Sequence, residues 1–388
     1  MIQTATAYTD LLDSAGAGRT LGARLREQLG GEGADAVVVF VSPRHAPGEV
    51  LEALKAASGA ALVVGCSSAG EFVDGRHGVS AISALAFRSD ELLFSASLGT
   101  GLRADRSAAA RELLAGLRGR VTDFPHRTLL LLTDALAGHT DDLIEELNAR
   151  SGGLYQIVGG GAGDDAAFRK THVFLQGRSE TDAAVALEIL SRRPLGIGVQ
   201  HGWQPAGELL RVTEAVGARL VSLNAMPAAE ALEQYARGRG KAFDREAPLP
   251  FFLHNTLGIQ TPDGFKLRVP LSVEPDGSLL CASDVPQGAL VSVMSTSGAS
   301  AAQAAASAVD RAVAQLQGAR PQAALFFDCV ATRLRLGDGF SRELASVEEA
   351  LGRGVRYAGC NSYGQVARLS GQFSGFHNCT AVVCVVPE

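Results

Sequence analysis

Apolar residues along the chain fall in short β-branched runs separated by stretches of helical spacing, and this order recurs. Residues 35–41 (DAVVVFV) form one such run, closed by the turn signal Ser42-Pro43, and predict a buried strand. Over 47–58 the apolar positions Val50, Leu51, Leu54 and Ala57 share one helical face. ALVVG at 61–65 is a second strand that runs directly into CSSAGEF, and 79–87 and 91–98 read as two more. The same succession returns at 128–133 (TLLLLT), 140–149 and 155–158. Here the helix opens with Asp141 and Asp142, and the second strand runs into GGGAGDD. Strands at 171–175 and 183–190 follow. A third copy occupies 323–330, 341–351 and 355–359, leads into CNSYGQV, and the strand 376–386 closes the chain.

The turns themselves align. VVGCSSAGEF at 63–72 and YAGCNSYGQV at 357–366 share Gly-Cys-x-Ser-x-Gly, and IVGGGAGDD is a looser relative that keeps Gly159 and Gly163. A strand–helix–strand unit ending in a glycine turn is therefore used three times. The expected fold is α/β: mixed sheets with helices, in two related lobes built from these units, with a pocket between them. Residues 194–294 differ, with short strand-like pieces at 195–200, 210–216, 251–260, 265–270 and 289–294 and a helix at 227–237. An alanine-rich helix is expected over 299–316. The cut is placed near 225, giving domains at 30–225 and 226–386.

Composition narrows the function classes. With 388 residues, 46% hydrophobic and 20% charged, the chain can bury a large core. Its 35 basic and 41 acidic residues leave a net charge of −6, which argues against nucleic acid or an anionic membrane surface as the main partner. No apolar stretch reaches the ~18–20 residues of a spanning helix, and the first residues lack signal-peptide features. Six cysteines without a CxxC pair read as reduced core residues, so a cytoplasmic location is expected.

Candidate chemistry is sparse. GGGAGDD has the backbone N–H groups to hold an anion, but GxGxxG and GxxxxGK[ST] are absent and Asp164-Asp165 would repel phosphate. Cys66 and Cys360 lie at strand ends where a nucleophile is exposed, yet no base stands at a recognisable spacing and GxSxG is missing, so inert thiols are favoured. Three histidines sit among apolar residues at predicted strand ends: His201 in VQHGWQP, His254 in FLHN and His377 in FHN. None has HExxH or another metal-ligand spacing. The sole tryptophan, Trp203, and a glycine stand beside His201.

VGCSSAGEF, GGGAGDD, LGIGVQHGWQPAG followed by LLRVTEAVG, and GCNSYGQV with FHNCTAVV together resemble FIST-domain proteins, in which a FIST segment precedes a FIST C segment. The resemblance spans about residues 30–386. It implies a sensory module that binds a small ligand in signal transduction and is not an enzyme. In length the chain is similar to the haem-binding, nitric-oxide-sensing branch (NosP-like proteins). That likeness implies a non-covalent b-type haem, nitric oxide as the sensed gas, and control of a partner histidine kinase or cyclic-di-GMP enzyme. His201 best fits the axial ligand by context and Trp203 would pack on the macrocycle, with His254 and His377 as further cofactor-binding candidates; the match does not single out the iron ligand. Without Cys-x-x-Cys-His, covalent attachment is not expected. The alternative is a FIST module for another small ligand, such as an amino acid whose carboxylate meets the glycine-turn N–H groups. Homodimerisation is left open.

Overall fold

In a computed structural model the chain is described over residues 1–262, 264–369 and 374–388. Each strand–helix–strand unit forms the centre of a six-stranded mixed sheet. Ala36–Val41 pairs in parallel with Leu62–Ser67, His126–Thr133 with Gln156–Gly161, and Pro321–Cys329 with Arg356–Ser362. Parallel strands are covered on both faces and need continuous apolar sequence, which VVVFV, LLLL and ALFF supply. Two antiparallel strands extend each pair on one side: Ile82–Ser89 then Ile2–Thr9, Ala183–Ser191 then Leu92–Thr100, and Ala381–Pro387 then Gly196–Gln200. The mixed α/β architecture with repeated units and two lobes is as the pattern predicts.

Every unit is longer than its periodicity reveals. The outermost strand leads into a helix of its own, Ser14–Gln28, Arg106–Ala115 or Gly298–Val313. The first two of these helices were not expected, because SAGAGRTLGARLREQ and RSAAARELLA are rich in glycine, alanine and arginine rather than bulky apolar residues. Small residues are needed there because the helices pack closely: a Cβ on Gly18 would stand 2.4 Å from the Val50 carbonyl oxygen of the neighbouring helix Pro47–Ser58.

The far edge of each sheet is completed by a hairpin from a different unit. After the first glycine turn, Glu71–Val73 and Arg76–Gly78 join Arg356–Ser362 of the third unit. After the second, Val173–Leu175 and Arg178–Glu180 join Leu62–Ser67 of the first. After the third, Gln365–Arg368 and Ser374–His377 join Gln156–Gly161 of the second. The exchange is cyclic and locks the three sheets together around one central core, where Phe40 and Phe327 meet edge to face at 5.6 Å. The repeated glycine is required by the parallel pair inside each unit. Gly65, Gly159 and Gly359 occupy matching registers opposite Val39, Leu131 and Phe326, and a Cβ on any of them would lie 1.9 Å from that partner's carbonyl oxygen.

The second lobe is inserted in the third unit, between Gly196–Gln200 and Gly298–Val313. It is a nine-stranded antiparallel sheet with the helix Ala228–Gly238 against it. The segment 251–260, expected as one strand, divides into the short helix Leu249–Phe252 and the strand Thr256–Thr261. Pro248 and Pro250 preset helical φ at its start.

Candidate functional site

Between the lobes lies a cleft of about 210 Å³. Its base is made where second- and third-unit strands end: Leu136 follows His126–Thr133, Cys329 ends its strand, and Tyr363 follows Arg356–Ser362. The carboxyl ends of parallel strands, where chains turn away, are the usual place for ligands in α/β folds. The inserted lobe supplies the roof with Val269, Leu271 and Cys281. No Asp, Glu, Lys, Arg or His lines the cleft among the described residues.

The polar groups of the cleft are few and fixed. Asn378 Oδ1 accepts from the Val269 N–H and the Ser283 hydroxyl, both at 3.4 Å. The Tyr363 hydroxyl donates to Asp164, and burial followed by that carboxylate pushes the phenol up, so it stays neutral. Phe168 stacks on Tyr363 with ring centroids 4.4 Å apart. Phe168 takes a left-handed backbone, φ 51°, because Asp164 accepts from the N–H groups of Phe168, Arg169 and Lys170 at 2.7–2.8 Å. The first aspartate of GGGAGDD thus pins a loop.

Two thiols of the cleft differ sharply. Hydrogen bonding from Cys379 is the main cause that lowers the Cys329 thiol to about 6, whereas burial pushes Cys281 up to about 12.

A second cleft, about 480 Å³, opens where the first unit's strands end, between Ser42, Arg44 and His45 and the second unit's Asp165 and Lys170. Asp165 Oδ1 and both ring nitrogens of His45 are buried there without a hydrogen-bond partner.

The expected haem residues are placed elsewhere. His201 follows Gly196–Gln200, and its Nε2 lies 2.8 Å from the Phe265 carbonyl oxygen. A carbonyl only accepts, so Nε2 carries the proton, and Nδ1 accepts from the Trp203 N–H at 3.3 Å. Both nitrogens are engaged and none is left for iron. Trp203 is buried among Met294, Leu267 and Cys329, with the Arg335 guanidinium 5.5 Å over its ring. His254 is exposed beyond the helix Leu249–Phe252. His377 is buried in the hairpin Gln365–Arg368/Ser374–His377, and burial pushes it down to about 3. None of the three histidines lines the cleft. A five-coordinate haem needs one free imidazole facing a cavity large enough for the macrocycle. His201, His254 and His377 do not fit that group.

Tyr363 was visible within the repeated turn and Asn378 stands beside a singled-out histidine, but neither was selected as a site residue. The roof residues carried no local signal at all, since only the docking of the insertion brings them to the strand ends.

The family model described as the FIST N domain matches residues 35–226, and the FIST C domain model matches 228–368. No curated protein matches the chain. Phosphoribosylformylglycinamidine synthase II from Thermotoga maritima aligns over 99% of this chain and 72% of its own, at 13% identity and a TM-score of 0.23, too low to support an argument. The two domain matches follow one another along most of the sequence, and the chain belongs to the FIST family of sensory modules that bind small ligands.

Proposed function

We propose that this FIST protein is a sensor whose ligand is a small, neutral, largely apolar molecule held between the lobes. The mostly apolar lining of the cleft, without carboxylates or basic side chains and with only Asn378, Tyr363 and two thiols as polar groups, carries this reading. The volume of about 210 Å³ lies below the ~300–1,000 Å³ of sites for drug-sized ligands, so the ligand is smaller than that class. Each lobe contributes a wall, and a ligand touching both favours the docked arrangement over any looser one. A histidine kinase or cyclic-di-GMP enzyme as the receiver rests on the family resemblance.

An amino acid is the second reading, and it suits the other cleft. Two opposite charges would lack partners between the lobes, whereas Arg44 and the unpartnered Asp165 Oδ1 offer both signs. Haem with nitric oxide is the third, and the engaged nitrogens of His201 weigh against it.

Thermal shift with indole, leucine and haemin in parallel separates the three. Indole should raise the midpoint by roughly 2 °C or more near 100-fold its Kd. That gain should vanish in Leu334→Trp, which fills the cleft from a residue 39% exposed. Stabilisation by leucine that Asp165→Asn abolishes would favour the second reading. A Soret band that shifts with nitric oxide and disappears in His201→Ala would overturn the first two.

A further inference from the structure

We propose that Cys329 and Cys379 form a redox-active dithiol at the interlobe cleft, oxidised to a disulfide by a hydroperoxide that enters it. The proposal is independent of which ligand the cleft binds.

Position is the first argument. Cys329 is the last residue of Pro321–Cys329 and lines the cleft. Cys379 lies in the bend between Ser374–His377 and Ala381–Pro387, next to Asn378, which also lines the cleft. The two thiols lie against each other and share one apolar cluster with Trp203 and Met294. Cys379 holds a left-handed backbone, φ 49°, which a non-glycine residue adopts only when its surroundings impose it.

The surroundings of the sulfur are the second. The Cys329 sulfur lies beside Cys379 in the cluster under Trp203, and hydrogen bonding from Cys379 favours its thiolate, the form that attacks an oxidant. The other four cysteines lack this combination. Cys281 lines the same cleft without a neighbouring thiol and is held in its unreactive protonated form. Cys66 and Cys360 lie against each other but are closed inside the central core, and Cys384 is buried there too.

The chemistry balances with a hydroperoxide as the sole co-reactant. With hydrogen peroxide, the Cys329 thiolate attacks the O–O bond; a sulfur–oxygen bond forms, the O–O bond breaks, and the departing hydroxide takes the proton that Cys329 released and leaves as water. The Cys379 thiol then attacks the sulfenic sulfur. The S–S bond forms, the S–O bond breaks, and hydroxide leaves with the Cys379 proton as a second water. Two thiols are oxidised and one peroxide is reduced.

Treating the folded, full-length protein with a slight excess of hydrogen peroxide tests this. Two of the six thiols should be lost with a mass decrease of about 2 Da, and peptide mapping should join residues 329 and 379. Dithiothreitol should restore both. Cys379→Ser should instead stop at a Cys329 sulfenic acid, about 16 Da heavier and captured by dimedone. Retention of all six thiols in the folded protein would overturn the proposal, as would a disulfide mapped to Cys66 and Cys360. Because the mapping is done on the native sequence, the result stands even where a variant fails to fold.

Discussion

At the scale of single residues, Glu71 shows how burial sets chemistry. Its carboxyl is fully enclosed, with the Ser68 hydroxyl 2.5 Å from Oε1 and the Ala81 N–H donating to Oε2 at 3.0 Å. Burial outweighs these bonds and pushes the group from 4.5 up to about 8. A carboxyl with a raised folded-state value contributes stability that is full below 4.5 and is lost as pH rises through about 8. Glu71→Gln keeps the shape without the titration. Between pH 5 and 8, native stability should fall relative to Glu71→Gln by roughly 1 kcal/mol per pH unit. Urea denaturation at several pH values measures this, and parallel profiles would refute it. Glu71 follows a glycine turn that was legible from its sequence, but its enclosure was not. A glutamate beside FV reads equally well as a solvated strand edge, and only the third unit's sheet closes over it.

Among elements, the exchanged hairpins decide how the repeats hold together. Phe72 leaves its own unit and packs on Phe326 and Phe340 of the third, with ring centroids 5.4 and 5.9 Å away. Phe72→Ala should therefore cost about 3–5 kcal/mol. The damage should fall on the receiving unit: amide exchange should rise in Pro321–Cys329 and Arg356–Ser362 before it rises in Ala36–Val41. Uniform loosening, or loss confined to the first unit, would contradict the exchange. The long strands and the helices Pro47–Ser58 and Thr140–Ser151 were legible because burial of a repeated face imposes its period on the sequence. Three-residue strands such as Glu71–Val73 are too short to carry a period, and their destination is another unit.

For the whole molecule, the lobes meet through buried charge as well as through the cleft. Asp141, at the start of Thr140–Ser151, pairs with Lys266 at 3.0 Å and Arg268 at 3.1 Å on the inserted lobe and accepts from the Phe376 N–H. Burial alone would raise its carboxyl, yet the two cations outweigh that and hold it below the usual range. Arg268 is only 3% exposed, so Asp141→Asn strands a buried guanidinium and should cost about 3 kcal/mol. The same variant should speed chymotryptic cleavage at Trp203, in the connection to the inserted lobe, and weaken ligand binding in the cleft; unchanged proteolysis would show that the lobes do not depend on this contact. By itself the sequence determined the α/β class, the three glycine-turn units and the family. Those features are written locally, in hydrophobic period and in glycines that a neighbouring carbonyl requires. Only the tertiary structure decided which unit receives each hairpin, that both nitrogens of His201 are taken, and that mostly apolar residues from distant segments enclose the cleft, because each depends on partners far apart along the chain.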